Sequence, residues 1–339
     1  MYMVKIWVLG FAKLTRREEE WTMKKRSKWN RIVMAVVVMS SLVVLAACGT
    51  SSETGGNEET GKLKITTTTG MIADAAKEVG GDHVEVTGLM GPGVDPHLYK
   101  ASQGDIRKLE QADLILYNGL HLEGKMSDIL INLGKSKTVT QVTKDIPESE
   151  LLMVPYGDKE EADPHVWFDV TKWIQVTDTI RNTLIEADPE HAKDYNDQAD
   201  AYIAKLQDLH EEVSESIASI PKASRVLVTA HDAFGYFGQA YDIEVLGLQG
   251  ISTSAEYGVN DVSELRDFLV DNQIKAVFVE SSISPKAMEA IVAGAKEKGH
   301  TVTIGGQLYS DAMGQEGTEE GTYIGMVKRN TKVIVEALK

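Results

Sequence analysis

Three histidines and one aspartate stand in contexts that would hold them still in front of a ligand. His97 closes the stretch Gly91-Pro92-Gly93-Val94-Asp95-Pro96-His97, and His165 lies in Asp163-Pro164-His165-Val166-Trp167-Phe168-Asp169. The tripeptide Asp-Pro-His thus occurs twice, each time where a loop meets a regular element. Proline fixes its own φ and restricts the residue before it, so it sets the direction of the imidazole that follows. His231, in Thr229-Ala230-His231-Asp232-Ala233-Phe234, follows the apolar run Arg225–Thr229. That is the carboxyl end of an expected strand, where open α/β sheets place ligands. Asp311, in Tyr309-Ser310-Asp311-Ala312-Met313-Gly314, follows another expected strand, Thr301–Ile304.

Three imidazole nitrogens and one carboxylate suit a borderline divalent ion such as zinc or manganese, and the lack of a thiolate disfavours copper(I). The same set could hold a catalytic zinc with a water in an open position, which makes a secreted metallohydrolase the rival reading. Its general base would have to be Glu280, at an expected strand end, and Glu280 serves equally well as a hydrogen-bond partner of a ligand. There is no His-Glu-x-x-His helix and no Gly-x-Ser-x-Gly elbow. His231 and Asp232 are neighbours in the chain and face apart, so they are discounted as a dyad. Of the other histidines, His191 and His210 fall among charged residues on a long helix and are expected in solvent. His83 and His300 precede strands and are expected in surface turns, while His121 carries no assignment.

The elements that must position these residues alternate. Strands are expected at Leu63–Thr69, His83–Met90, Leu114–Tyr117 and Thr138–Val142, with helices at Met71–Val79, Ser102–Ala112, Gly124–Leu133 and Val170–Ala187. The pattern restarts with strands at Arg225–Thr229, Glu244–Leu248, Lys275–Val279 and Thr301–Ile304. Helices follow them at Ala233–Tyr241, Val262–Asn272, Pro285–Lys298 and Glu320–Leu338. Alternation of this kind predicts an α/β fold of two lobes, each a mainly parallel sheet flanked by helices. Between the lobes, residues 189–220 contain no glycine and no internal proline. Leu206, Leu209, Val213 and Ile217 recur there at helical spacing, so one long rigid helix is expected to join the lobes and limit their opening. The expected domains are therefore 63–188, 189–220 and 221–339.

The amino-terminal part reads differently. Lys24, Lys25, Arg26, Lys28 and Arg31 precede an apolar stretch from Ile32 to Ala47, too short for the roughly 20 residues of a membrane span. Residues 1–47 are read as a signal region whose true start is Met23. The stretch ends Leu45-Ala46-Ala47-Cys48, which resembles a bacterial lipobox and implies lipid on Cys48, the chain's single cysteine. Residues 48–62 are polar and glycine-rich and read as a flexible tether. Removing residues 1–47, with 9 Lys/Arg and 3 Asp/Glu, takes the net charge from −16 to −22, a poor basis for binding nucleic acid.

From Cys48 to Lys339 the chain resembles the receptor lipoproteins of manganese/zinc ABC importers, the cluster-9 or TroA-like family. The resemblance rests on Val94-Asp95-Pro96-His97-Leu98-Tyr99, Asp163-Pro164-His165-Val166-Trp167, His231-Asp232-Ala233-Phe234-Gly235-Tyr236-Phe237, Phe278-Val279-Glu280-Ser281 and Ser310-Asp311-Ala312-Met313-Gly314. It implies two lobes joined by one long helix, with the metal between them. By this resemblance the ligands are His97 and His165 from the first lobe, and His231 and Asp311 from the second. It also implies a permease and its ATPase subunit as partners, a monomer held outside the cell by lipid, and no catalysis. Zinc-dedicated members carry a histidine-rich acidic loop before the second Asp-Pro-His segment. Here residues 145–162 are acidic but hold no histidine, so manganese is expected ahead of zinc. An ordinary histidine pKa of about 6.5 predicts that binding weakens as pH falls from about 7 to about 5.

Overall fold

The computed structural model describes residues 61–339 apart from 157 and 158; the signal region, Cys48 and most of the tether lie outside the described residues. Strand β3 (Leu114–Tyr117) is the run Leu-Ile-Leu-Tyr, with its first three residues fully buried. Such continuous apolar runs belong to parallel strands covered on both faces. It sits inside a four-stranded parallel sheet of order β2-β1-β3-β4, built with β1 (Leu63–Thr67), β2 (Val84–Gly88) and β4 (Thr138–Gln141). Ile65 of β1 lies opposite Val86 on one side and Leu114 on the other, which fixes the register. Helices α1 (Gly70–Gly80), α2 (Gln103–Gln111) and α3 (Ser127–Leu133) connect the strands. Ser102 starts α2 with a full capping box: its Oγ accepts the Asp105 N–H, and the Asp105 carboxylate accepts the Ser102 N–H.

The acidic stretch before His165 forms an antiparallel hairpin of β5 (Met153–Tyr156) and β6 (Lys159–Ala162), which the apolar pattern does not announce. Helix α4 (Val170–Ala187) follows, capped by the Asp169 carboxylate on the Thr171 N–H at 2.8 Å. After a one-turn 3-10 helix at Pro189–His191 comes α5 (Ala192–Ala218), 27 residues and about 40 Å long. His191 therefore lies in the turn before the long helix rather than on it, stacked on His83 at 3.9 Å between ring centroids. His191 and His210 are half-buried, not free in solvent as expected.

The carboxyl-terminal part contains β7 (Val226–His231) paired in parallel with β8 (Glu244–Gln249), and β9 (Ala276–Glu280) paired in parallel with β10 (Thr303–Leu308). Strand β7 runs alongside β9. Helices α6 (Gly235–Tyr241), α7 (Val259–Asp271), α8 (Lys286–Glu297) and α9 (Tyr323–Leu338) cover these strands. Strand β7 extends two residues beyond the expected end, so His231 is its last residue rather than part of a following loop. Strand β10 starts two residues later than expected and runs through Gly305 and Gly306. A Cβ on Gly306 would come within 2.6 Å of Val333 on α9, and its φ is +155°.

One continuous apolar core joins the two sets of strands. Ile65 and Met71 from the first, Trp173, Tyr202 and Phe237 from the helices, and Phe278, Leu308 and Tyr323 from the second all belong to it. The long helix packs its buried stripe, Tyr195, Ala199, Tyr202, Leu206, Leu209, Val213 and Ile217, along this core. Burying each large apolar side chain stabilises the fold by about 1.5–3 kcal/mol. Hydrogen bonds reinforce the junction. Tyr323 Oη donates to the Trp167 carbonyl at 2.7 Å, and Trp167 Nε1 donates to the Ser310 carbonyl at 3.1 Å. The parts are thus welded through a shared core as well as joined by α5.

Candidate metal centre

His97 lies in the loop after β2, and His165 directly precedes a single 3-10 turn at Val166–Phe168. His231 ends β7, and Asp311 lies three residues past β10. These four elements converge so that one ligand atom from each residue lies within 4.8 Å of all the others. All four residues are buried, none more than 4% exposed.

The atoms that face one another are well defined. Asp311 Oδ1 is 3.3 Å from His165 Nε2, while Oδ2 is 3.4 Å from His231 Nε2 and 3.7 Å from His97 Nε2. The three Nε2 atoms and both Asp311 oxygens have no hydrogen-bond partner, so these approaches are close without the alignment of hydrogen bonds. Buried polar atoms are almost always satisfied. Separations of this size are the edges of a coordination polyhedron with bonds of about 2.0–2.2 Å, the range for zinc to nitrogen and oxygen.

The far sides of the rings explain their aim. His231 Nδ1 lies 2.6 Å from Glu280 Oε2, and His231 N–H donates to Glu280 Oε1 at 2.9 Å. Asp163 Oδ1 accepts the His165 N–H at 2.9 Å and lies 2.7 Å from His165 Nδ1. Gly235 permits this: a Cβ there would stand 2.9 Å from Asp163 Oδ2. A carboxylate behind an imidazole fixes its tautomer and orientation and raises its basicity as a ligand. Asp163 was not singled out from the sequence, although it stands two residues before His165 in the repeated tripeptide. Its counterpart Asp95 is used differently. It takes the His97 N–H at 2.9 Å with Oδ1 and the Thr253 hydroxyl at 2.6 Å with Oδ2.

Electrostatics separate the three imidazoles. Burial pushes the pKa of His97 down to about 3, against the pull of Asp311. Burial also works against a charged His165, but Asp163 and Asp311 outweigh it and raise its pKa to about 9. For His231 burial is again overcome, by Glu280 and Asp311, and its pKa lies well above the ordinary value. Despite its burial Asp311 is held well below the usual carboxylate range by His231, His165 and His97. The neighbouring carboxylates thus favour protonated His165 and His231, and a protonated ring must give up its proton before its Nε2 can meet a cation.

His97 also lines a small cleft, about 240 Å³, together with Leu120, His121, Tyr156, Pro164 and Ser252. Gly119, Leu120 and His121 all have positive φ, of 83°, 52° and 64°. For the two non-glycine residues this conformation costs on the order of 1–3 kcal/mol each and persists only where surroundings enforce it. The enforcing group is Glu123. Its Oε1 accepts from Asn118 N–H at 2.8 Å and the Thr68 hydroxyl at 2.7 Å, and its Oε2 from Gly119 N–H at 3.0 Å. Asn118 Nδ2 in turn donates to the carbonyl of Pro164 at 3.0 Å, immediately before His165.

Comparisons with known proteins agree with this architecture. The family described as zinc-uptake complex component A, periplasmic, matches residues 65–337. The chain is 54% identical over 307 residues to the manganese-binding lipoprotein MntA of Bacillus subtilis, covering 91% of this chain and 99% of that one. It is 30% identical over 312 residues to the manganese ABC transporter substrate-binding lipoprotein PsaA of Streptococcus pneumoniae, covering 90% and 97%. Among solved structures, the periplasmic zinc-binding protein TroA of Treponema pallidum superposes with a TM-score of 0.80 at 47% identity, covering 82% of this chain and 99% of that one.

Proposed function

The chain belongs to the zinc-uptake component A family, the extracytoplasmic metal receptors of ABC importers, and on that footing we propose that His97, His165, His231 and Asp311 together bind one divalent ion. The ion is delivered to a membrane permease driven by an ATPase subunit. The observation that carries this reading is the cluster of five buried, unpartnered donor atoms pointing at one another. The ion sits between the lobes, 63–188 and 221–339, with 189–220 linking them. Lipid on Cys48, which lies outside the described residues, holds the monomeric receptor at the cell membrane.

Manganese is the favoured cargo and zinc the next. Asp311 turns one oxygen toward His165 and the other toward His97 and His231. It can therefore bind with both oxygens, giving five donors, whereas a structural zinc site closes with four. Oxygen-richer, higher-coordinate sites suit manganese. The lack of histidine in residues 145–162 points the same way. Zinc outranks manganese in intrinsic affinity at most sites, so manganese loading also depends on metal supply or on the permease.

The hydrolase alternative loses its base. Both oxygens of Glu280 are engaged by His231, and the four candidate ligands are buried, with only His97 reaching the cleft. A catalytic zinc needs an open position for water.

The test is metal analysis and X-ray absorption of protein purified from cells grown without added metal. One manganese per chain, held by nitrogen and oxygen, is the expected result. Two tightly held ions, sulfur ligation, or failure to bind manganese and zinc alike would overturn the assignment.

A further inference from the structure

The cleft in front of His97 shares a wall with a larger one of about 840 Å³, since Leu120, His121 and Glu161 line both. The larger cleft is bounded by the turn after β3, by α3 and by the β5/β6 hairpin. Its apolar lining includes Ile131 and Met153, which are 64% and 51% exposed. Large apolar side chains left exposed along one cleft are a mark of contact surfaces. Glu148, Glu160 and Glu161 ring the cleft, and among the described residues no lysine or arginine lines it. It is not a second metal site, because the His/Asp cluster already described is the only such group among the described residues.

An apolar hollow ringed by anions selects an occupant with an apolar body and a cationic edge. We propose that this cleft is where an extracellular segment of the permease docks, presenting at least one lysine or arginine beside an apolar side chain. This rests on the reading of the chain as an importer's receptor. Continuity chooses the occupant: whatever takes the ion must sit at its mouth, and this surface is joined to the mouth by a common wall. The wall itself is the left-handed turn Gly119–Leu120–His121. A side chain seated against Leu120 presses on the turn that Glu123 fixes and that Asn118 ties to Pro164, next to His165. Docking thereby reaches a ligand of the ion through two hydrogen bonds.

The experiment uses the lipidated receptor and its importer, permease plus ATPase, in proteoliposomes. It reads receptor-stimulated ATP hydrolysis and manganese uptake against receptor concentration. Glu148→Lys with Glu160→Lys, and separately Met153→Asp, should raise the half-maximal concentration by about ten-fold. Their manganese affinity by calorimetry should stay that of the wild type. Glu160→Gln should be milder than Glu160→Lys. A control with the same charge change on exposed α5 positions, Glu211→Lys with Glu215→Lys, should behave as wild type. Raising salt should weaken wild-type stimulation. If the cleft variants stimulate as well as wild type, or the α5 control fails as badly as they do, the docking assignment is overturned and the receptor reading stands. If the wild type binds manganese yet stimulates no importer, both are overturned.

Discussion

Glu280 holds His231 at two points, accepting its backbone N–H at 2.9 Å and lying 2.6 Å from its ring Nδ1. Asp163 grips His165 in the same manner, but with a single oxygen. In both pairs Nδ1 is committed and Nε2 faces the other ligands. Removing the charge behind either ring should weaken the centre without unfolding the chain. Glu280→Gln and Asp163→Asn are each expected to lower manganese affinity by about 10- to 100-fold, read by calorimetry, with circular dichroism unchanged. Wild-type affinity in both variants would show that the carboxylates do not orient the rings.

Proton competition sets the pH dependence. With His165 raised to about 9 and His231 well above its ordinary value, both rings hold protons at neutral pH in the metal-free protein. His97, pushed down to about 3, holds none. Apparent affinity should therefore climb by roughly 10- to 100-fold per pH unit between pH 6 and 8, for one or two protons displaced. The ordinary value of about 6.5 places the loss between pH 7 and 5; the carboxylates shift that window upward. In the metal-free protein the charged His165 adds stability below the unfolded pKa of about 6.5, and that stability is lost as pH rises through about 9. The melting temperature of the metal-free form should fall over this range. A titration that is flat from pH 6 to 8 would contradict these shifts.

Thermal scans separate ligands from bystanders. An ion bound only by the folded state stabilises it by about 2.7 kcal/mol when free metal is 100 times the dissociation constant. Alanine at His97, His165, His231 or Asp311 should remove most of the manganese-induced rise in melting temperature. His191→Ala and His210→Ala should keep it, since those rings bond to Asp188 and Tyr241 instead. Retention of the full rise in both His231→Ala and Asp311→Ala would exclude a centre shared between the lobes.

Membrane attachment is tested apart from metal. Cys48→Ser should release the protein from membranes and abolish labelling by radioactive fatty acid. An unlabelled wild type that stays with the membrane would refute lipidation at Cys48.

The elements most legible in the sequence were those whose signals are local. Helix α4 has the expected bounds because Asp169 caps one end and Pro189 follows the other. Strand β3 likewise reads from its apolar run alone. The β5/β6 hairpin escaped because Met-Val-Pro-Tyr and Lys-Glu-Glu-Ala pair only with each other and show no buried face. Strand β10 runs past the expected end at Ile304 through two consecutive glycines, which let it approach Phe278, Val333 and Ala337 closely. At the site, residue type and local context identified His97, His165, His231 and Asp311 as a group. What they could not reveal was the division of labour between two identical tripeptides. Asp163 reaches an imidazole while Asp95 reaches across to Thr253, a difference made by residues distant in the chain.

The carboxylates behind His165 and His231 have an electrical consequence for a chain welded through one shared core. A doubly charged ion that arrives and expels two protons leaves the interior with the charge it had before. The packed side chains around Trp167 and Tyr323 thus lie beside the same net charge whether two protons or one ion occupy the centre. The centre is therefore expected to trade protons for its ion, releasing one or two to the medium on loading and taking them back on unloading, which a pH indicator in unbuffered solution would register.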